Sequence, residues 1–207
     1  MTSILKADTI QDTDGNNIIN ESGNTITIGA SGDTTNIIGT LQNNGSALNF
    51  ATVNGITQAD QWRLNANQSS DVDPIASNLE RNDSTGFGYI GSGMSVSSGI
   101  WTFPSTGFYL VRFFQAWYTD GSGGNDTDLA GRISATTNNS SYNLHAEGTA
   151  RADNNYASSS CETILDVTDT ANVKVKFICT NMGTGAVLRG TTARNLTHFT
   201  FIRLGDT

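Results

Sequence analysis

The sequence has few charged residues, few lysines and little proline, and these shortages exclude several classes of protein. Charged residues make up 14% of the chain, with 11 basic against 19 acidic side chains and a net charge of −8, so we expect no nucleic-acid-binding surface. Strong helix formers such as lysine and glutamate are too scarce for a helical protein. No apolar run approaches the roughly 20 residues of a membrane-spanning helix, so we expect no membrane insertion.

Four small or polar residue types dominate what is present. Gly, Asn, Thr and Ser together supply 92 of the 207 residues, about 44% of the chain. Threonine favours strands, whereas glycine, asparagine and serine favour turns. The sequence therefore predicts an all-β protein with short strands and many turns.

Aromatic residues divide the chain into unequal parts. Residues 1–60 contain only Phe50, and the other 16 aromatic residues lie in residues 61–207. Because aromatic side chains supply large buried areas, we expect one folded head domain over residues 61–207. We expect residues 1–40 to be a β-repeat attachment or shaft segment and residues 41–60 to be a connector.

Short isoleucine-bearing pieces recur in the first segment, with turn residues between them. These pieces are Asn17–Asn20, Thr25–Ile28 and Asn36–Ile38. Each one buries too little to be stable alone. We therefore expect short intertwined or repeat-like strands that fold by association with other chains. A disordered tail rich in asparagine and threonine is the alternative.

The clearest strand, Gly107–Tyr118, is mostly apolar on both of its faces. One face carries Phe108, Leu110, Phe114 and Tyr118. The other face carries Tyr109, Val111, Phe113 and Trp117. An antiparallel strand with a solvated face should be apolar on one side only, so we expect a central strand with a second surface against its outer side. Shorter candidate strands include Phe87–Ile90.

Arrangements of residues for catalysis or metal binding are scarce. The two histidines, His145 and His198, are 53 positions apart and match no metal-hydrolase spacing. The carboxylate pair Asp126 and Asp128 is of a kind that binds Ca²⁺, but solvated turn residues explain such pairs more often. We therefore expect no enzyme activity, no metal site and no cofactor.

The two cysteines, Cys161 and Cys179, are symmetric about position 170, so a simple hairpin would place them opposite each other. Each lies on the apolar face of a predicted strand. In the absence of signs of secretion, two buried free thiols are favoured over a disulfide.

The stretch Ser98–Val111, which reads SGIWTFPSTGFYLV, resembles a signature of the complement C1q/tumour-necrosis-factor-like domains. In those domains a strand leads into a Gly-x-Tyr motif, and a long aromatic strand follows. They also end on an aromatic strand, as Phe199–Leu204 does here. The resemblance covers residues 61–207 and implies a jelly-roll sandwich of about ten strands and a tight homotrimer. It also implies binding rather than catalysis, and it places Cys161 and Cys179 in different sheets.

The whole chain is similar to trimeric fibre proteins of marine bacteriophages, which combine a start like Ile4–Ile10, Asn/Thr/Gly/Ile repeats and such a head. This resemblance implies a virion appendage, a tail fibre or receptor-binding protein that contacts the host cell surface. Residues 1–40 would then bind other virion proteins. A capsid decoration or head-fibre protein without a receptor role is the alternative. A glycan-active β-sandwich enzyme is a third hypothesis.

The implied trimer gives the second face of the long strand a partner. The candidate interface residues are Tyr109, Val111, Phe113, Trp117, Phe199 and Phe201. The opposite set, Phe108, Leu110, Phe114 and Tyr118, is the alternative. Binding residues usually lie on loops, and a host cell-surface glycan is the candidate ligand. The candidate surface-binding residues are Asp126, Asp128, Asn154, Asn155, Tyr156 and Arg189.

Overall fold

The computed structural model describes residues 9–11, 13, 17–22, 25–28, 32, 34, 42–43, 46–47, 55–122 and 126–207. The chain divides into two compact units, Met1–Val53 and Asn54–Thr207, and we call the second unit the head. The predicted boundaries near residues 40 and 60 stay predictions. Among the residues described, no helix has the length and hydropathy needed to cross a membrane.

The first unit contains short antiparallel strands. Strands β1 (Thr9–Gln11), β2 (Asn17–Ser22) and β3 (Thr25–Ile28) form a sheet in the order β1-β2-β3. Strands β4 (Gln42–Asn43) and β5 (Ser46–Ala47) pair as a separate hairpin. Two of the predicted pieces are therefore strands, and the third, Asn36–Ile38, lies outside the described residues. Association with other chains stays a prediction.

The described part of the head contains eleven strands in two antiparallel sheets. In chain order they are β6 (Ala59–Leu64), β7 (Leu79–Arg81), β8 (Ser95–Ser97), β9 (Ile100–Thr102), β10 (Gly107–Thr119), β11 (Asp126–Thr136), β12 (Asn143–Ala152), β13 (Tyr156–Val167), β14 (Lys174–Thr180), β15 (Ala186–Leu188) and β16 (His198–Gly205). The β10 sheet has the order β13-β10-β16-β6-β7, with β15 also paired to β10. The β14 sheet has the order β12-β11-β14-β9-β8. Because most neighbours are distant in sequence, each sheet is assembled by connections that cross between the two layers, as in a jelly roll.

The core lies between the two sheets and is built on aromatic side chains. The ring centroid of Trp101, which is fully buried in β9, lies 5.0 Å from that of Phe201 and 5.8 Å from that of Phe177. Phe177 in turn lies 4.6 Å from Phe199, centroid to centroid. These contacts join β9 and β14 of one sheet to β16 of the other. Aromatic packing therefore holds the two layers together.

A buried glutamine and two glycines bring the layers close together at the β12–β13 edge. Gln115 is fully buried, and its Nε2 donates a hydrogen bond to the carbonyl of Phe113 at 2.9 Å, while its Oε1 accepts one from Ser159 Oγ at 2.7 Å. A Cβ added at Gly131 would lie 2.5 Å from the Gln115 side chain, and one added at Gly148 would lie 2.6 Å from the carbonyl oxygen of Ser160. Neither position has room for a side chain.

A polar cluster covers the β6–β7 edge of the β10 sheet. Arg63 is 1% exposed, and its guanidinium contacts Glu80 at 2.8 Å and Asp83 at 2.7 Å. Its Nη1 also donates to Asn82 Oδ1 at 2.8 Å. Each of the three guanidinium nitrogens of Arg63 therefore has an acceptor, as burial of a charge requires.

Candidate functional site

The outer side of the β10 sheet, which we call the outward face, has no second sheet packed against it in the described part of the chain; residues 82–84 cover it at Arg63, but the first half of β10 is open. Along β10 the outward residues alternate with buried ones, and Phe108 is 39% exposed. The neighbouring edge strand β13 exposes Ile164 at 60%. Both faces of β10 are thus apolar, as the sequence predicted, but only one of them meets the core.

The six predicted interface residues lie on the inner side of the β10 sheet, and this choice of face was wrong. All of them are at most 1% exposed: Tyr109, Val111, Phe113, Trp117, Phe199 and Phe201. They contact the β14 sheet within the same chain, so they are not available to a second copy. The structure instead leaves the alternative set on the surface: Phe108, Leu110, Phe114 and Tyr118.

Apolar residues cross the outward face side by side and form what we call the apolar band. Leu110 pairs with Ile164 on one side and with Ile202 on the other. Ile202 pairs with Ala59, which bridges to Ile90. Partners directly opposite in an antiparallel sheet point to the same side, so these five side chains form one row across the sheet.

Two more apolar residues lie beside the band, where β10 begins and β16 ends. Phe108 is paired with Gly205, and the neighbouring residue Leu204 is 54% exposed. Ile90 at the opposite side of the row is 49% exposed. A contiguous exposed apolar surface of this kind usually marks an interaction site.

Beyond the band, the outward face becomes polar and then aromatic. Arg112 lies between Thr200 and Glu162, and the next pair along β10 is Phe114 with His198. The rings of Phe114 and His198 are stacked, with centroids 5.0 Å apart. Burial lowers the pKa of His198, the nearby charge of Arg112 lowers it further, and a hydrogen bond with the Leu196 carbonyl acts in the opposite direction.

Both chain ends of the head lie at one end of the β10 sheet. Ala59 pairs with Ile202 and Gly205 pairs with Phe108, so the chain enters and leaves beside the apolar band. Strands β10 and β14 end at the opposite end, where β13 begins. We call that opposite end the loop end, and it carries residues 65–71, 120–122, 153–155, 181–185 and 189–197.

Hydrogen bonds tie the segments of the loop end to one another. The carboxylate of Asp71 accepts from the backbone N–H groups of Asn181 at 3.1 Å and Met182 at 2.9 Å. The backbone N–H of Asp120 donates to the Gly185 carbonyl at 3.2 Å. Hydrogen bonds from the side chain and backbone of Ser122 lower the pKa of Asp120. These loops therefore support one another instead of extending separately into solvent.

Two of the predicted surface-binding residues meet at the loop end. The guanidinium carbon of Arg189 lies 4.5 Å from the ring centroid of Tyr156, which is 63% exposed. The Tyr118 ring also contacts Tyr156, with 5.0 Å between the ring centroids. Asn154 and Asn155 are exposed and directly precede Tyr156. The contact with Tyr118 was not predicted, because nothing in the sequence indicates that residues 118 and 156 are paired.

The two predicted aspartates, Asp126 and Asp128, belong to β11 and not to the group around Tyr156. Asp128 is exposed, and its carboxylate accepts a hydrogen bond from Asn181 Nδ2 at 3.1 Å. Asp126 is the first residue of β11. Within the described ranges, no three histidine, cysteine, aspartate or glutamate side chains converge as metal ligands.

A polar cleft of about 270 Å³ lies beside β14, and its lining includes Asp71, Asp73, Arg132 and Thr180. Its charged groups already have partners. Asp73 pairs with Lys176 at 2.5 Å, and Arg132 pairs with Glu147. The cleft therefore presents no charged side chain that lacks a partner.

Both thiols are free and buried, and they belong to different sheets, Cys161 to β13 and Cys179 to β14. The preference for free thiols is confirmed. Burial raises the pKa of Cys161 to about 11 and that of Cys179 to about 12. Thiols that stay protonated are poor nucleophiles, so neither cysteine is suited to catalysis.

The chain is similar in fold to solved structures with little sequence identity. Murine APRIL, a tumour necrosis factor family protein, solved at pH 5.0, matches with a TM-score of 0.52 and 9% identity, over 71% of this chain and 98% of the APRIL chain. The same protein solved at pH 8.5 gives a TM-score of 0.50 and 14% identity over 71% and 98% of the two chains. The head has the tumour-necrosis-factor-like jelly-roll fold.

The globular domain of zebrafish complement 1qA also matches, with a TM-score of 0.47 and 12% identity over 72% of this chain and 99% of that domain. No protein-family model matches the chain, and neither does any curated protein. The predicted fold class is thus confirmed by structure alone.

Proposed function

We propose that this chain is a homotrimeric attachment protein, with its heads associated through the outward face of the β10 sheet. The apolar band is the observation that carries this proposal. Leu110, Ile164 and Ile202 are adjacent, belong to three strands, and are left without cover by the described part of the chain. Burying such a surface stabilises association by roughly 25 cal/mol for each Å² of apolar area removed from water.

The resemblance of the sequence to bacteriophage fibres supports a more specific role. We infer that the protein is a virion appendage, a tail fibre or receptor-binding protein, in which residues 1–40 join other virion proteins. The loop end is the surface that contacts the host cell. It lies opposite the end at which the chain enters the head, and it carries an exposed aromatic residue, Tyr156, next to Arg189. The role is binding and not catalysis.

The oligomeric part of the proposal is tested on the full chain by analytical ultracentrifugation. We expect a particle of three times the 21.9 kDa chain mass. The variant Leu110→Glu places a charge in the apolar band and should yield folded monomers. Ile178→Glu is the matched control, because Ile178 is also partly exposed, but on the central strand of the β14 sheet. A monomeric wild-type chain, or a Leu110→Glu trimer as stable as the wild type, would contradict the proposal.

The virion part is tested on phage particles that carry this protein. Gold-labelled antibodies against the head should label the tips of tail fibres, and an excess of the purified chain should slow adsorption to host cells. Labelling of the capsid with no effect on adsorption would instead indicate a decoration protein. Hydrolysis of host glycan by the purified chain, abolished by one Asp or Glu substitution, would contradict the non-catalytic role.

A further inference from the structure

Two charged residues of opposite sign face each other on the outward face without pairing. Arg112 in β10 and Glu162 in β13 are cross-strand partners, and both are exposed. No ion pair among the described residues includes either of them. They lie one pair beyond Leu110 and Ile164, at the border of the apolar band.

The β14 sheet also contains a cross-strand arginine and glutamate, and there the two side chains do pair. Arg132 in β11 is the cross-strand partner of Glu147 in β12, and these two side chains do form an ion pair. A cross-strand arginine and glutamate in this fold can therefore reach each other. The Arg112 guanidinium and the Glu162 carboxylate are left available to a different partner.

The proposed trimer determines what that partner must be. If the heads associate through the outward face, Arg112 and Glu162 become wholly or partly buried, and a buried charge without a partner is strongly unfavourable. A closed ring of three copies has heterologous contacts, in which one surface of each chain meets a different surface of the next. Each such contact then offers one arginine from one chain and one glutamate from its neighbour.

Resting on the proposed trimer, we propose that Arg112 of one chain pairs with Glu162 of the neighbouring chain. A ring of three chains holds three such pairs, next to the apolar band. The band supplies the apolar area that association removes from water. The ion pairs fix the register between copies, because a misplaced contact would bring like charges together or leave charges unpaired.

Charge reversal tests whether the two residues form a pair. Arg112→Glu and Glu162→Arg should each raise the trimer dissociation constant by about tenfold or more, and the chain with both substitutions should return close to the wild-type value. Arg132→Glu, which reverses the matching arginine in the β14 sheet, is the control and should leave association unchanged. Failure of the double variant to recover would overturn the pairing.

Disulfide trapping tests whether the pair joins two chains. One tagged chain carries Arg112→Cys and a second, untagged chain carries Glu162→Cys, and the two are co-expressed and mildly oxidised. A covalent dimer of one tagged and one untagged chain should appear on a non-reducing gel. Glu147→Cys in place of Glu162→Cys should give none. The native cysteines should not interfere, because both are buried.

Each remaining outcome contradicts a different statement. If the wild-type chain is trimeric but no mixed dimer forms, the proposed contact is wrong and the trimer stands. If Arg112→Cys chains link mainly to each other, the arginines meet their own copies and the pairing is also wrong. If the wild-type chain is monomeric, both the trimer and the pairing fail.

Discussion

Phe113 and Phe114 are adjacent in β10, and substitution of each by alanine should have a different consequence. Phe113 is fully buried, and its ring centroid lies 5.0 Å from that of Phe199 and 5.2 Å from that of Phe177. Phe114 is only partly buried, and its aromatic contact within the chain is the stack with His198. Phe113→Ala should therefore destabilise the head, and Phe114→Ala should chiefly weaken association.

The expected size of each effect follows from burial. Truncating a buried phenylalanine to alanine costs about 3–5 kcal/mol, which corresponds to a fall in Tm of roughly 6–20 °C for a domain of this size. Loss of the exposed stack of Phe114 costs only about 0.5–1.5 kcal/mol within one chain. Because Phe114 is an aromatic residue at the proposed interface, however, Phe114→Ala should raise the trimer dissociation constant about tenfold.

The assay measures thermal unfolding of the full chain at several protein concentrations, together with sedimentation. Phe113→Ala should lower Tm at every concentration, whereas Phe114→Ala should lower Tm chiefly at concentrations at which the wild-type chain is trimeric, because a weakened assembly adds less stabilisation by mass action. Phe113→Leu, which keeps most of the buried volume, should recover part of the loss. Equal losses of Tm from both alanine variants at high concentration would refute the assignment of the two faces.

Three further predictions concern polar and titratable groups. Arg63→Ala breaks a buried ion pair and should lower the free energy of unfolding by about 3 kcal/mol, as urea unfolding would measure. This value is the lower end of the usual range, because Glu80 and Asp83 retain access to water. Cys161 and Cys179 have pKa values raised to about 11 and 12, so neither thiol should react with an aromatic disulfide reagent at pH 8 until the protein is unfolded; rapid labelling of the folded chain would contradict their burial. The pKa of His198 is lowered from 6.5, so the unfolded chain binds a proton more readily than the folded chain does. The free energy of unfolding should therefore decrease as the pH falls below about 6.5. The urea midpoint of His198→Gln should show less of this decrease.

The sequence predicted the two-layer fold but not which side of β10 faces the core, and the reason is physical. Alternation along a strand assigns side chains to two sets with certainty, because successive residues point to opposite sides. It says nothing about which set meets the other sheet. Here both sets contain large apolar residues, since Phe108 and Leu110 are as hydrophobic as Phe113 and Val111. Only the position of the β14 sheet decides between them.

One predicted strand was wrong for a related reason. Phe87–Ile90 has the residues of a short strand, but the structure shows a loop in which only Ile90 makes a bridge, to Ala59. Phe87 is 49% exposed and Tyr89 is 52% exposed. The flanking residues Gly86 and Gly91 have φ values of 93° and 76°, and such left-handed conformations end a strand at both sides. The apolar residues of this stretch predicted burial, but the backbone of the loop leaves Phe87 and Tyr89 exposed.

The loop end brings together residues that the sequence identified one at a time. Tyr156 and Arg189 were both predicted as surface-binding residues, but their contact depends on β13 and β15 flanking the same end of β10. Tyr118 is the cross-strand partner of both Tyr156 and Val187. Such a juxtaposition depends on the order of strands, which a single sequence does not encode in any local pattern. The sequence thus names candidate residues, whose binding role stays a prediction, but it does not show their grouping.

The proposed trimer surface and the proposed binding surface lie at different positions along the same strand. Leu110 lies in the band, and Tyr118, eight residues further along β10, lies at the loop end. At about 3.3 Å per residue these two positions are about 26 Å apart. No direct contact spans that distance, and the charged pair of Arg112 and Glu162 lies between them on the band side. Substitutions at Tyr156 or Arg189 should therefore alter the proposed binding surface while the proposed trimer surface stays unchanged.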